Sequence, residues 1–211
     1  MEQTRRRLCL IALDLYRHQG YEAVSLRELG KVAGLSHATL YRYFESKEDL
    51  FVHVRAEVFR QLDDYVRARD RKSADPLERL RGIVSSLASF GRSSPDDYRL
   101  IFSMRQGICP ADSPLTLARQ HLGNHVVHIC QLAIDAGQLQ VDASEQAYVA
   151  WACMHGLISL HVSNLLFDGP GVDKLLSPMI DKLFPAAPKP TLAPAAANRT
   201  KKSAGKKPAL R

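Results

Sequence analysis

Between Ser25 and Phe44 the chain reads SLRELGKVAGLSHATLYRYF, a stretch that leaves the backbone little choice. Ser25 and Glu28 have the serine-x-x-glutamate form of a capping box, which starts a helix. Leu26, Leu29, Val32 and Ala33 recur at helical spacing and predict one apolar face. Gly34 falls where that helix has to stop and supplies the positive φ of a turn. Ser36 can cap a second helix running through Thr39 and Leu40 to Phe44. Two short helices about a glycine turn make a helix-turn-helix, residues 25–44. Two packed helices of an unrelated bundle are the plain alternative, but caps, glycine, spacing and exterior all agree on the first.

The exterior of the second helix is polar in a particular way. Ser36, His37, Thr39, Tyr41, Arg42 and Tyr43 surround a small Ala38. Hydrogen-bonding side chains of this kind can lie in a major groove, which admits a helix and displays donors, acceptors and methyl groups. Ser46-Lys47-Glu48-Asp49 then repeats a helix start with a lysine in its first turn, the make-up of a phosphate clamp. The expected division is His37, Ala38, Thr39 and Tyr41 toward bases or sugar, and Arg42, Tyr43 and Lys47 toward phosphates. Ser25 and Arg27 open the first motif helix beside them.

The same residues resemble a known family. Gly20-Tyr21, Ser25 to Leu29, Ala33 to Ser36, Thr39 to Phe44 and Ser46 to Leu50 are similar to the N-terminal domain of the tetracycline-repressor (TetR) family. The likeness covers about the first quarter of the chain. Trp151, His155 and Gly156 further resemble a motif in the C-terminal ligand-binding domain of one branch of that family. The resemblance implies an all-α homodimer that binds double-stranded DNA and regulates transcription, with a palindromic operator released by a small effector. It also implies that Arg27 can reach a base edge or phosphate.

Charge alone does not argue for DNA binding by the folded part. The chain has 29 basic and 22 acidic residues, a formal net charge of +7. From Pro185 to the end lie Lys189, Arg199, Lys201, Lys202, Lys206, Lys207 and Arg211 and no acid, so the remainder is neutral. This Ala-, Pro- and Lys-rich stretch, 185–211, lacks apolar periodicity and is expected to be disordered, a polyelectrolyte arm or an inert tail. No apolar run is long enough to span a bilayer. The N-terminal MEQTRRRLCLIALDLY has a signal-peptide look, but Asp14 and Arg17 interrupt it and no small-residue cleavage site follows. It reads as an amphipathic helix of a cytoplasmic protein without membrane contact. Cys9, Cys109, Cys130 and Cys153 are widely spaced and read as buried thiols.

Taken in order, about nine helices are expected. The first spans about 4–19, with Leu8, Ile11, Ala12 and Leu15 inward and Gly20 at its end. Arg5, Arg6 and Arg7 oppose the helix dipole there, as a DNA-touching arm or a merely solvated terminus. The fourth helix runs from Ser46 to about Asp70, closing a DNA-binding domain of residues 1–62 and continuing into an effector-binding and dimerisation domain of residues 63–184. Asp75-Pro76 and Ser94-Pro95 start two more helices. Asp112 or Ser113 caps the seventh, which stops at Gly137. The eighth is expected to reach Phe167 and the last to span Val172–Leu183. The final two, paired with their copy, would make a four-helix dimer interface drawing on Ser159, Val162, Ser163, Leu166, Leu176 and Ile180.

No nucleophile triad, carboxylate pair or phosphate-cradling glycine loop stands out, so neither an enzyme nor a cofactor is expected. Tyr65, Phe90, Tyr98, Phe102, Met104, His125, Trp151, Met154 and His155 are candidates for an apolar cavity with a few polar groups, although each alone reads as core. A repressor released by a small hydrophobic effector is the expected function. The alternative is a metal- or redox-responsive regulator. His121, His125 and His128 share roughly one helix face, with Cys130, Cys153 and His155 as further ligands for zinc, nickel or copper. A third reading, a general chromosome-binding protein, would rest on the basic tail.

Overall fold

The computed structural model describes residues 1–102, 109–167 and 169–185. They form nine helices and no strand. These are α1 (Glu2–Ala23), α2 (Leu26–Ala33), α3 (His37–Leu40), α4 (Lys47–Arg69), α5 (Pro76–Ser93), α6 (Pro95–Phe102), α7 (Pro114–Asp135), α8 (Ala143–Val162) and α9 (Val172–Leu183). No helix among the described residues is long and apolar enough to cross a membrane.

The starts are set by side-chain caps. Ser25, Ser36, Ser46, Asp75 and Ser113 each accept a hydrogen bond from the backbone N–H three residues on. Asp142 accepts from Ser144 and Glu145. Each such cap is worth about 1 kcal/mol. The end of α2 and a break in α1 are set by left-handed glycines. Gly34 has φ 68° and closes α2. Gly20, at φ 78°, breaks α1 before a last turn at Tyr21.

Two boundaries and one helix face differ from expectation, each for a local reason. The second motif helix does not run to Phe44. After Leu40 the chain tightens, with Arg42 and Tyr43 N–H bonding to Thr39 and Leu40 three residues back. That 3₁₀-like turn lets both Leu40 and Phe44 point inward, where they are fully buried. The eighth helix stops at Val162 rather than Phe167. Asn164 takes the left-handed conformation (φ 54°), and Leu165 N–H reaches back to the Leu160 carbonyl at 2.8 Å. This is a Schellman ending built on asparagine. Val32, expected on the apolar face of α2, is 53% exposed. Gly30 takes the inward position instead, and a Cβ there would meet the Leu35 carbonyl oxygen at 2.9 Å and Leu40 Cδ1 at 3.1 Å.

α1 to α3 and the first turns of α4 make the N-terminal unit. α4 then passes between α5, α6 and α7, while α8 closes the bundle against α5 and α7 and carries α9 on its side. Leu50, Phe51, Val54, Val58, Leu62 and Val66 give α4 a buried stripe along its full length. Arg6 departs from both readings of the N-terminal arginines. Its guanidinium reaches back to Glu57 of α4 at 3.1 Å, and Arg5 pairs with Glu2.

Two stability outcomes follow from these contacts. Gly30→Ala pushes α2 off Leu35 and Leu40 and is expected to cost about 1–3 kcal/mol, read as a lower thermal midpoint. Asp70, at the end of α4, is held bidentately by Arg79 at 2.7 and 2.8 Å, and that pairing keeps its carboxyl below the usual value. A depressed carboxylate contributes stability above its unfolded value, about 3.9 for aspartate, and loses it as pH falls through the folded value. The wild type should therefore lose thermal stability below about pH 4 more steeply than Asp70→Asn.

Candidate DNA-reading surface and effector cleft

α2 and the α3 turn stand at the outer end of the N-terminal unit. His37, Ala38, Tyr41, Arg42, Arg27, Ser25 and Ser36 are exposed there, and Thr39, Tyr43 and Lys47 are half-buried. Tyr41 is 52% exposed, and its ring meets that of His37 edge-on at 4.8 Å. The two rings brace each other on the surface. Ser36 Oγ and Thr39 Oγ1 lie 2.8 Å apart. The hydroxyls of Ser25 and Ser36 are thus already engaged as caps, which limits what they can give to a ligand. Lys47 is positioned from below. Its ammonium sits 4.1 Å from the Tyr21 ring centroid and donates to the Glu22 carbonyl at 3.3 Å. Tyr21 in turn packs on Phe51 at 4.5 Å. Arg27 and Arg42 have no ion-pair partner among the described residues.

The second feature is a cleft of about 470 Å³ between α7 and α8. Its floor is apolar: Phe59 of α4, Val84 and Leu87 of α5, Phe102 of α6, Leu122, Val126 and Val127 of α7, and Ala147, Ala150 and Trp151 of α8. Arg119, Gln120, Asn124, Ser144 and Tyr148 supply its polar groups. A polar hollow of about 380 Å³ between α5 and α9 is lined by Arg71, Glu78, Arg81 and Asp173. Those groups already pair, Arg71 with Glu78, Arg81 with Asp181 and Arg92 with Asp173, so the apolar cleft is the better ligand site.

Of the nine cavity candidates, Phe102 and Trp151 line the cleft. Tyr98 and His155 stand behind it, joined from Tyr98 Oη to His155 Nδ1 at 2.6 Å. Trp151 and Phe102 rest on that imidazole at 5.8 and 5.3 Å. Burial raises the Tyr98 phenol and lowers His155, favouring two neutral partners. Met154 is buried in the core. Tyr65 bonds Ser89 and packs on Phe90 away from the cleft. His125 faces Arg67 at 3.3 Å and Asp70 at 3.3 Å, and burial pushes its pKa down. Met104 lies outside the described residues. Arg119, Phe59 and Tyr148 were missed, since periodicity shows that a helix has a buried face but not which neighbour that face meets.

The helix-7 histidines do not form a shared metal site. His121 is engaged by Asp63 at 2.7 Å, His125 by Arg67 and Asp70, and His128 is exposed. Among the described residues no three His, Cys, Asp or Glu side chains are grouped to hold a metal ion. The thiols differ too: Cys9 and Cys130 are buried, Cys109 is half-buried and Cys153 is exposed. Burial pushes Cys9 up to about 12 and Cys130 up to about 11, so both stay protonated.

The expected dimer residues also divide. Val162 and Ile180 are buried within the subunit itself. Ser159, Leu166 and Leu176 are half-buried and Ser163 is exposed. The outward face of α8 is carried instead by Val149, Cys153, Gly156 and Leu160, spaced four, three and four apart.

Residues 11–54 match the family model of bacterial regulatory proteins of the tetR family, and residues 80–183 match that of the tetracyclin repressor-like C-terminal domain. Together these take in well over half of the chain, which belongs to the TetR family. The HTH-type transcriptional repressor KstR of Rhodococcus jostii is 34% identical over 112 residues, covering 53% of this chain and 50% of that protein. The HTH-type transcriptional activator FasR of Mycolicibacterium smegmatis is 32% identical over 101 residues, covering 48% of this chain and 46% of that protein. The chain thus spans about half the length of these relatives. A solved structure of a protein of unknown function from Rhodococcus sp. RHA1 superposes with a TM-score of 0.73 at 26% identity, covering 85% of this chain and 93% of that one.

Tyr41→Ala and Arg42→Ala are expected to keep the far-ultraviolet spectrum and thermal midpoint of the parent while losing DNA affinity. Arg42→Ala, as a phosphate contact, should also lower the salt slope of binding by about 1. Unchanged gel shifts for both variants would remove the α3 turn from the interface.

Proposed function

We propose that the protein is a sequence-specific transcriptional repressor that binds a palindromic operator as a homodimer and lets go when a small hydrophobic effector occupies the α7–α8 cleft. The observation that carries this reading is the outward set His37, Ala38, Tyr41 and Arg42 on a turn whose caps and core residues are otherwise fully used. Such a set has no role in holding the fold and suits the edges and backbone of a major groove. Two copies facing successive grooves would read an inverted repeat. The outward α8 face, with Leu160 at 43% exposure, is the surface on which the copies would meet. The reading assigns binding and release, with no catalytic step.

Release requires that the effector prefer the conformation that does not fit DNA. α4 supplies the connection: Phe59 lines the cleft, and Lys47 opens the same helix beside the reading surface. A second tie joins the two parts. Arg17 of α1 holds Asp97 of α6 at 2.7 and 2.8 Å, and Tyr16 Oη donates to the Asp96 carbonyl at 3.3 Å. A ligand that shifts α4 or α6 therefore moves the unit that carries α3.

Selecting bound fragments from genomic DNA tests the proposal. A shared inverted repeat should emerge, and it should emerge again with the chain cut after Phe184. Leu160→Lys should shift the protein to monomer in sedimentation and weaken capture of the repeat. Fragments with no common motif, or a monomer that binds as well as the parent, would refute it.

A further inference from the structure

The polar groups of the cleft are one-sided in charge. Arg119 is its only ionic side chain among the described lining residues, and no aspartate or glutamate lines it. Arg119 has no ion-pair partner among the described residues; its guanidinium carbon lies 5.6 Å from the Phe59 ring centroid. Most arginines of the helical body are spoken for by carboxylates: Arg67 by Asp63, Arg79 by Asp70, Arg81 by Asp181, Arg92 by Asp173 and Arg99 by Asp96.

A second cation reinforces the first. Arg55, one turn before Phe59 on α4, is only 8% exposed, and its Nε donates to the Phe51 carbonyl at 3.0 Å. It too lacks a carboxylate among the described residues. Burial drags its pKa down, Cys109 and Tyr21 oppose that, and the nearby Arg119 adds to it. Arg55 does not itself line the cleft; its charge adds to the positive potential that Arg119 presents there.

We infer that the effector is an anionic amphiphile, its carboxylate or phosphate head held by Arg119 at the end of the cleft nearest Phe59 and its apolar body lying against Phe102 and Trp151. This rests on the cleft being the effector site. The neutral donors Gln120, Asn124 and Tyr148 can complete the hydrogen bonding of such a head. The apolar floor accepts a chain by burial alone, so the head group, rather than the tail, sets the selectivity.

Trp151 is the chain's single tryptophan and stands in the cleft wall, so its fluorescence reports occupancy directly. The full-length protein is titrated with decanoate, decyl phosphate, 1-decanol and decylamine below their aggregation limits. One or both anions should bind at least about tenfold tighter than 1-decanol, the scale of a charge-assisted hydrogen bond, and decylamine should bind worst. The two anions tell carboxylate from phosphate recognition. Arg119→Met should erase the anion preference, bringing the affinities for the anions and 1-decanol level. Equal binding of anion and alcohol by the parent, or a preference that survives Arg119→Met, overturns the anionic head while the effector cleft stands. No saturable response to any of the four overturns the cleft reading and this one with it.

Discussion

Each carboxylate buried along α4 is answered from another helix, and that requirement fixes how the bundle is assembled. Glu57, 1% exposed, is held by Arg6 of α1 and Arg60 of its own helix. Asp63 is met by Arg67 and by His121 of α7. Asp70, at the helix end, is met by Arg79 of α5 and approached by His125 of α7. An apolar stripe alone would tolerate sliding or rotation of these neighbours. A buried carboxylate does not, because a partner displaced by an ångström or two leaves a desolvated charge behind. The pairs are thus weak as net stabilisers and strong as selectors of one arrangement, with one clasp each for α1 and α5 and two for α7.

Such clasps also make the N-terminal unit responsive to the body. α1 is fastened at two points, by Arg6 to Glu57 and by Arg17 to Asp97, 80 residues away in sequence. Tyr16 and Tyr21 further pack on Phe51 at 6.2 and 4.5 Å. The unit is therefore tied to both α4 and α6, and helices joined through discrete ion pairs tend to shift between arrangements rather than deform smoothly.

Helix starts were legible because capping is local chemistry. Ser25, Ser36, Ser46, Asp75 and Ser113 stand a few residues from the donors they satisfy, so the signal needs no tertiary knowledge. Glycine ends were legible for the same reason. Asn164 was not, since asparagine is a less common left-handed terminator and the apolar run LLF beyond it continues the helical pattern. Val32 and Gly30 exchanged roles because α2 is short, and a small shift in the centre of its apolar face decides which of two neighbours points inward. Arg6, His121 and His125 show the larger limit. A polar residue in a helix reads as solvated or as a ligand, and only the fold reveals a carboxylate from 51 or 58 residues away aimed at it.

The Trp151, His155, Gly156 stretch joins these themes. One side of Trp151 lines the cleft while its ring stacks on His155 at an interplanar angle of 10°. His155 accepts or shares the proton of Tyr98 on α6, and Tyr98 is the residue after Asp97, which grips Arg17. The contacts run without a gap from the cleft wall to α1. Close packing holds Tyr98 in place from the far side: a Cβ on Gly91 would lie 2.9 Å from the Tyr98 ring and 2.5 Å from Ile158. Contiguity of this kind becomes coupling only if the two ends favour different states of something between them. Here the candidate is the position of α6, because His155, on which Trp151 stacks, is joined to α6 by the Tyr98 hydrogen bond. Loss of that hydrogen bond would strand a buried phenol without its partner, which costs about 1–3 kcal/mol. A displacement of α8 that keeps the bond carries Tyr98 along, and with it Asp97, whose grip on Arg17 is the clasp on α1.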